Sequence, residues 1–323
     1  MNNEFELFIN NNKPQQHDNY VNAINIVNVM NELLTDRKIL ILNGYGLYTL
    51  FSYINYNSSG DTNYIVTKFF GYPEKDYYNL FYSSIMDDSS SFNQNFILYD
   101  NESSVNTKSK HIQFYKINQS INQSMKNVLN YDYIKKDKLV FLSELIIKPT
   151  FQYKLDDIIE SDEITYLQYK NIVCNYYCNN SNKIIEFVCN NNLIFGINYG
   201  DTKNIFNMTR RMKPYLFKTV QIPIFKSKYK LNLTNVLKDT ELNLILEHIN
   251  CDDLFDEINK IDKVIQYSLI DINEENQKKP IKENIGLINN KKDKQDIFCA
   301  TEGFDYYFKH IKTQTIILIG THE

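Results

Sequence analysis

Histidine and cysteine side chains are the first candidates for chemistry in this chain of 323 residues, because they supply general bases, nucleophiles and metal ligands. No histidine lies in a recognisable arrangement with a serine, a cysteine or a second metal ligand. The sequence also contains no G-x-S-x-G motif, no phosphate-binding glycine loop and no paired-carboxylate signature. We therefore expect neither an enzyme nor a bound cofactor. The five histidines are His17, His111, His248, His310 and His322.

The cysteines suggest a metal site only through the spacing of Cys174 and Cys178. No histidine lies near this pair in the sequence, and no second cysteine pair completes a tetrahedral ligand set. The five cysteines also follow no disulfide framework in a chain without a secretory signal. We expect buried, reduced thiols and no metal. The other cysteines are Cys189, Cys251 and Cys299.

A basic cluster has two interpretations, an anion-binding face or an ordinary solvated surface of strands and loops. The net charge of −4 argues against nucleic acid as the main partner. We favour the solvated surface and expect no nucleic-acid partner. The cluster consists of Arg210, Arg211, Lys213, Lys226, Lys228 and Lys230.

The last quarter of the chain carries the clearest sign of a functional surface. An apolar run from Val264 ends in the paired acids Glu274 and Glu275, and about twenty non-periodic polar residues follow before Phe298. A segment of this kind between two strands is typical of an exposed loop. We expect the loop, at about residues 276–297, to be the functional surface.

Length and composition favour a single domain over residues 1–323, since 43% hydrophobic content can form a sizeable core. No stretch approaches a membrane span, and the first residues lack the pattern of a signal peptide. We expect a monomer without a membrane partner, either cytoplasmic in a host cell or released by an unconventional route. The heavy use of Asn, Ile, Lys and Tyr resembles the coding bias of an A/T-rich genome, as in a virus or many protozoa.

Helical and strand patterns alternate along the chain, which indicates an α+β protein. Residues 19–34 have apolar side chains at helical spacing, and residues 38–56 predict a short strand followed by a buried helix. Residues 139–147 suit a buried strand, and residues 183–198 predict a hairpin. The polar segment 84–124 leaves two alternatives, surface helices or a disordered patch.

The order of these motifs resembles the serpin family of serine protease inhibitors. Asn273-Glu-Glu275 is similar to the hinge that precedes the serpin reactive loop, and Phe298-Cys-Ala300 is similar to the "F-x-A-D-H-P-F" return after it. Residues 306–311 and 315–320 resemble the final serpin hairpin, and Lys218–Phe225 resembles "V-x-L-P-K-F". The matches keep the family order over most of residues 38–320. Their details lean toward poxvirus serpins, in which "N-E-E" and "F-C-A-D" occur.

The resemblance implies a serpin-like fold with a mixed central sheet, two further sheets, a cluster of helices and an exposed reactive-centre-like loop. In inhibitory serpins the loop is a bait: the protease acylates it, and its hinge half then inserts as a new strand of the central sheet. By this resemblance the bait bond falls at Asn289-Asn290 or Asn290-Lys291.

Three departures from the family pattern concern this insertion. The hinge contains charged residues and a proline, which are disfavoured inside a central strand. Leu42 and Asn43 stand where the family has Ser-Pro at the shutter, through which the sheet opens, and Phe151 replaces a tryptophan at the breach, where the loop enters. For Phe151 we favour the role of an ordinary core aromatic. The hinge residues are Glu274, Glu275, Asn276, Gln277, Lys278, Lys279 and Pro280.

These departures favour a viral serpin-family protein that acts on host defence by binding a host protein, with suicide inhibition doubtful. The first alternative is a working inhibitor of a serine or cysteine protease that uses the loop as bait. The second alternative is a structural or virion protein, which would be indifferent to mutations in the loop.

Overall fold

The computed structural model describes residues 17–34, 39–71, 91–100, 105, 112–117, 128–129, 131–161, 163–190, 192–202, 205–251, 254–255, 258–277, 296–301 and 303–323. These residues form two compact units. The first unit contains the described parts of 1–20, 147–227 and 269–323, and the second contains those of 21–146 and 228–268.

The helices of the described residues are mostly short. In chain order they are α1 (His17–Leu34), α2 (Gly44–Asn57), α3 (Gly60–Phe70), α4 (Tyr131–Ile134), α5 (Ile205–Thr209), α6 (Thr234–Lys238), α7 (Asn243–Glu247) and α8 (Glu274–Gln277). None of the helices in these ranges is long and apolar enough to cross a membrane.

Strands predominate in the second half of the chain. They are β1 (Ile41–Leu42), β2 (Ser91–Tyr99), β3 (Ile112–Lys116), β4 (Leu139–Ile147), β5 (Asp157–Glu160), β6 (Thr165–Cys178), β7 (Lys183–Val188), β8 (Leu193–Tyr199), β9 (Lys213–Pro223), β10 (Phe225–Asn232), β11 (Lys263–Ile272), β12 (Ile297–Cys299), β13 (Phe304–His310) and β14 (Ile316–His322).

The first unit is built on a mixed sheet in which the strands lie in the order β14-β13-β8-β7-β6-β9-β12, with β5 also paired to β6. Only β12 and β9 are parallel among these pairs, and the others are antiparallel. Strand β6 has 14 residues and pairs with both β7 and β9. Because this one long strand continues from one group of strands into the next, the described strands form one larger sheet where the resemblance implies two.

A second, five-stranded sheet has the order β10-β11-β4-β2-β3, and most of its residues belong to the second unit. Strand β4 is buried at all but one position, and β11 lies directly beside it. Continuous burial of this kind indicates a strand that is covered on both faces. Helix α2 covers one of them, since the ring of Phe51 lies edge-on to that of Phe141 on β4, with 5.9 Å between centroids.

The structure confirms the predicted first helix, the buried strand at 139–147 and the hairpin of β7 and β8. It also confirms the closing hairpin of β13 and β14. In the polar segment 84–124, the prediction of helices or a disordered patch is wrong for Ser91–Tyr99 and Ile112–Lys116, which form β2 and β3. These strands pair in parallel with each other, and long-range pairing of this kind overrides a weak local pattern.

The expectation of buried thiols holds for Cys174, Cys189 and Cys251, which are free and buried. It is wrong for Cys178, which is exposed at the end of β6, and Cys299 is only half-buried. Among the residues that the structure describes, no group of three or more His, Cys, Asp or Glu side chains is arranged to hold a metal ion.

A buried ion pair connects two strands of the larger sheet across a third. Lys309 Nζ on β13 lies 2.5 Å from Glu186 Oε1 on β7, and Tyr307 Oη donates a hydrogen bond of 2.8 Å to the same carboxylate oxygen. The contact spans β8, which lies between these strands. It requires a glycine there, because a Cβ on Gly196 would lie 2.1 Å from the Tyr307 ring.

We expect Glu186→Gln to lower the free energy of unfolding by about 3 kcal/mol, because it leaves the Lys309 ammonium buried without its counter-charge. Chemical denaturation measures this loss. The double variant Glu186→Gln, Lys309→Met removes both charges and should recover part of the stability. A single variant as stable as the double variant would contradict this account.

His310 is a buried residue of the closing hairpin, whereas the sequence offers no sign of its role. Its Nδ1 accepts a hydrogen bond from the Thr313 main-chain N–H at 3.3 Å and lies 3.0 Å from Thr313 Oγ1. Burial, with a smaller contribution from the nearby Lys312 charge, lowers the pKa of His310 to about 4. The neutral ring is therefore the form that the fold accommodates.

The lowered pKa of His310 predicts acid sensitivity. The unfolded chain takes up a proton near the ordinary pKa of 6.5, whereas the folded chain does so only near about 4. Stability should therefore decline as the pH falls between these values, by up to roughly 3 kcal/mol. Unfolding by denaturant at a series of pH values measures the decline. His310→Asn keeps an acceptor but cannot titrate, so its stability should change less over the same range, and an unchanged slope would contradict the assignment.

Candidate functional site

Asn43, one of the two shutter residues predicted from the sequence, is fully buried at the start of α2. Its Oδ1 accepts a hydrogen bond of 2.9 Å from the Gly46 N–H, which is one of the free donors in the first turn of the helix. Its carbonyl oxygen also accepts from the Leu47 N–H at 3.3 Å. The Asn43 side chain therefore fixes the beginning of α2. Leu42, the other predicted shutter residue, is a buried apolar residue of β1.

The same asparagine is bonded to the strands of the five-stranded sheet. Its Nδ2 donates to Ser143 Oγ on β4 and to Asn93 Oδ1 on β2, both at 2.9 Å. Its main chain pairs with the Gln266 side chain on β11, since Asn43 N donates to Gln266 Oε1 at 3.2 Å and Gln266 Nε2 donates to Asn43 O at 2.6 Å. Asn43 thus holds the neighbouring strands β4 and β11 at a fixed separation.

Close approach of α2 to β4 depends on Gly46. A Cβ at this position would lie 1.9 Å from Ser143 Oγ and 2.4 Å from Asn43 Nδ2. Any other residue would separate the helix from the strand and break the contact between Asn43 and Ser143. The Asn-Gly-x-Gly sequence is therefore the local reason why a polar network can form beneath the first turn of α2.

Insertion of a strand between β4 and β11 is incompatible with this network. Adjacent strands lie about 4.8 Å apart, so one inserted strand would move Ser143 and Gln266 apart by about that distance. Hydrogen bonds of 2.6–3.2 Å do not survive such a displacement, and Asn43 cannot remain bonded to both strands. Opening of the sheet would therefore leave buried polar groups without partners unless water or a new strand replaced them.

Phe151, the predicted breach residue, lies in an aromatic cluster of the first unit. It is fully buried, and its ring centroid lies 5.8–6.0 Å from those of Tyr169, Phe187 and Phe195. Ring pairs at this spacing contribute packing energy beyond area burial alone. Phe151 is thus a core aromatic, as the sequence analysis favours.

The first part of the hinge is a short, well-anchored helix rather than an extended segment. Asn273 precedes α8 and accepts a hydrogen bond of 2.9 Å from the Asn276 N–H through its Oδ1. Its Nδ2 donates to Asp271 Oδ1 at 2.8 Å, and Lys226 Nζ lies 2.9 Å from Asp271 Oδ2. Within α8, Glu275 is exposed. These contacts hold the beginning of the hinge in place.

Gln277, the last described residue of the hinge, is buried with 3% of its surface exposed. Its Oε1 accepts a hydrogen bond of 2.9 Å from the Phe151 N–H. Its Nε2 donates to Pro149 O at 2.9 Å, with a longer contact of 3.4 Å to Asn273 O. The hinge is therefore attached to the chain segment that follows β4.

The chain beyond the loop is anchored as well. Strand β12 pairs in parallel with β9, and Ile297 is in register with Thr219. The Tyr215 hydroxyl donates to the Asp296 carboxylate, and the Asp296 main-chain oxygen accepts from the Lys218 N–H at 3.2 Å. The hydrogen bond to Asp296 raises the pKa of Tyr215, with smaller contributions from burial and from the charge itself.

Several predicted site residues lie outside the described residues. They are the hinge residues Lys278, Lys279 and Pro280 and the reactive-bond candidates Asn289, Asn290 and Lys291. Among the predicted site residues that are described, Asn276 and Gln277 form hydrogen bonds within the first unit. Asn43 belongs instead to the hydrogen-bond network beneath α2.

Sequence reasoning missed the partners of both sites, namely Asn93, Ser143, Gln266 and the main chain of 149–151. Polar residues inside otherwise apolar strands were the available signal. Ser143 interrupts the apolar run of β4, and Gln266 interrupts that of β11. A buried polar side chain needs a partner, so each of these residues predicts a contact but not its identity.

A family model described as serpin (serine protease inhibitor) matches residues 196–323. No curated protein matches the sequence. The fold matches native protease nexin-1 solved with heparin, with a TM-score of 0.76, 14% identity, and 94% of this chain and 98% of that chain covered.

Two insect structures are also similar. Serpin48 of Tenebrio molitor, described as a highly specific serpin, has a TM-score of 0.72 and 15% identity, with 95% of this chain and 98% of that chain covered. SRPN18 from Anopheles gambiae has a TM-score of 0.73 and 10% identity, with the same coverage. The α+β serpin fold implied by the resemblance is therefore confirmed, and the serpin family model matches residues 196–323 of the chain.

We expect Asn43→Ala to lower the free energy of unfolding by about 2 kcal/mol or more, because it removes the helix cap and leaves Ser143 and Asn93 without their shared donor. Thermal or chemical unfolding measures the loss. Asn57→Ala is the matched control, since Asn57 Nδ2 donates only to Tyr53 O within the same helix, at 2.7 Å. Equal losses in the two variants would show that Asn43 is no more than a helix residue.

Proposed function

We propose that this protein uses the serpin fold to bind another protein through its loop segment, without the strand insertion of a suicide inhibitor. The observation that carries this proposal is the set of hydrogen bonds by which Asn43 ties β4 to β11. Inhibition by insertion requires these strands to separate before water hydrolyses the acyl bond between the protease and the loop. A buried network that must first break slows this step, because each orphaned buried group costs about 1–3 kcal/mol.

The composition of the hinge supports the same proposal. Side chains of a strand alternate between its two faces, so one face of an inserted hinge would carry Lys278 and Pro280 and the other Lys279. Burial of an unpaired ammonium group costs several kcal/mol, and a proline removes a ladder hydrogen bond. A charged segment whose two flanking ends are anchored is better suited to recognition of a partner surface than to burial in a sheet.

We further propose that the protein is of viral origin, remains in the host cell and acts on host defence by binding a host protein, of which a protease is one candidate. The supporting observations are its poxvirus-like "N-E-E" and "F-C-A" motifs and its heavy use of Asn, Ile, Lys and Tyr, which resembles the coding bias of an A/T-rich genome. A pull-down from host-cell extract with the intact chain, compared with a variant in which 286–294 is replaced by a Gly-Ser linker, would identify a partner of the loop.

A second candidate function, protease inhibition, has one observation in its favour. Strand β11 lies directly beside β4, which is the arrangement that a serpin has before its loop inserts. No described strand therefore separates β4 from β11, which is the starting arrangement that insertion requires.

The thermal unfolding midpoint before and after cleavage of the loop separates the two functions. A lysine-specific protease can cut within 286–294, at Lys291, Lys292 or Lys294. We expect no rise in the midpoint, whereas insertion would add the hydrogen bonds of a whole strand at about 1 kcal/mol net each. A large rise in the unfolding midpoint of the natural protein after cleavage would overturn the binding proposal in favour of inhibition.

The matched control replaces residues 278–284 by alanines, including the three lysines of that stretch, and keeps the cleavage sites at Lys291, Lys292 and Lys294. If cleavage raises the unfolding midpoint of this variant but not that of the natural protein, the charged hinge itself prevents insertion. If cleavage raises neither midpoint, the obstacle to strand insertion lies outside residues 278–284, as the network around Asn43 predicts.

A further inference from the structure

The segment that follows β4 has the two hydrogen-bonding edges of an extended strand. On one edge the Gln152 N–H donates to Val188 O and the Asn190 N–H donates to Thr150 O, both at 2.8 Å. Phe151 also forms an isolated antiparallel bridge with Cys189. Because alternate residues of a strand direct their main-chain groups to opposite edges, the Pro149 carbonyl and the Phe151 N–H face the other edge.

The carboxamide of Gln277 occupies that other edge. Its oxygen accepts from the Phe151 N–H and its nitrogen donates to Pro149 O, both at 2.9 Å. A neighbouring strand would offer the same two groups, one acceptor and one donor, to residues that are two positions apart. A glutamine side chain ends in the same amide group as the main chain, so it can reproduce one step of a β-ladder.

We propose that Gln277 is an internal latch: its carboxamide replaces one residue of a missing strand and closes the edge of 149–151 to pairing with any other extended segment. This inference deepens the proposed function and rests on it, because a closed edge is a second obstacle to loop insertion. It also protects the molecule, since an open strand edge is a template for pairing with another chain.

The contact is specific for an amide. An apolar side chain of the same length fills the space but leaves the buried Phe151 N–H and the Pro149 carbonyl without partners. A glutamate keeps an acceptor for Phe151 but has no donor for Pro149 when it is ionised. Comparison of Gln277→Met with Gln277→Glu therefore separates the contributions that packing, the acceptor and the donor make to the contact.

Residue-resolved amide hydrogen exchange of the full chain tests the contact. We expect the Phe151 amide to exchange about five- to tenfold faster in Gln277→Met than in the natural protein, the factor that corresponds to loss of one such bond. The amides of Gln152 and Asn190 should not change, since their partners lie on the opposite edge. In Gln277→Glu the Phe151 amide should stay protected. The control is Gln221→Met, because Gln221 Nε2 donates to the Gln168 side chain at 3.0 Å instead.

Size-exclusion chromatography after mild warming tests the consequence. We expect part of the Gln277→Met protein to convert from monomer to oligomers, whereas the Gln221→Met protein should remain monomeric. Only the first substitution opens a strand edge. An unchanged Phe151 amide, or equal acceleration of all three amides, would overturn the latch. Faster Phe151 exchange without loss of monomer would overturn its role as a barrier to pairing.

The two proposals fail in distinguishable ways. The latch is tested on the uncut chain without a protease, whereas the proposed function is tested by cleavage of the loop. A rise in the unfolding midpoint after cleavage, together with the expected exchange at Phe151, would reject loop binding without insertion and keep the latch as a contact that yields once the loop is cut.

Discussion

The buried side chain of Asn43 is the constraint on which the five-stranded sheet depends. It caps α2 and reaches Ser143 on β4 and Asn93 on β2, while the Asn43 main chain forms two hydrogen bonds with the Gln266 side chain on β11. A buried amide is stabilising only when its donors and acceptors are all used, so this network specifies one arrangement of helix and strands. Neighbouring features follow from it, including the glycine at 46, which lets the helix approach the strand.

The same physical principle governs the first unit, where polar side chains substitute for main-chain partners. Gln277 takes the place of a strand residue beside 149–151, and Asn273 takes the place of a main-chain acceptor at the start of α8. Glu186 and Lys309 satisfy each other across an intervening strand. In a chain with many Asn, Gln and Tyr residues, the interior is thus organised by paired amides and hydroxyls as well as by apolar packing.

Much of the fold could be predicted from the sequence, because its strands carry strong local patterns. Leu139–Ile147 and the strands of the closing hairpin are mostly apolar runs, and they lie where the pattern places them. The serpin order of the motifs then supplied the fold class, but not the joining of two implied sheets into one. Strands β2 and β3 were not predicted, since their polar residues resemble those of a surface segment until their partners are known.

The site could be predicted only in part. The positions of Asn43 and Phe151 follow from the family pattern, and Phe151 is buried in the core among aromatic rings, as predicted. The contacts of the site could not be predicted, because they join residues far apart in the chain, such as Asn43 with Gln266, 223 positions away, and Phe151 with Gln277, 126 positions away. Sequence patterns report periodicity along the chain, whereas these hydrogen bonds depend on the folded arrangement.

The placement of the last strands has a consequence for what a proteolytic cut produces. Strands β12, β13 and β14 all follow the loop, and β13 lies between β8 and β14 in the larger sheet, where both of its edges are bonded. A chain that is cut in the loop is therefore two polypeptides that share one sheet, and the shorter polypeptide should dissociate only when the longer one unfolds. The protein is in effect a pre-assembled pair of complementing fragments, and the C-terminal piece is a natural candidate for reconstitution from a separately made peptide.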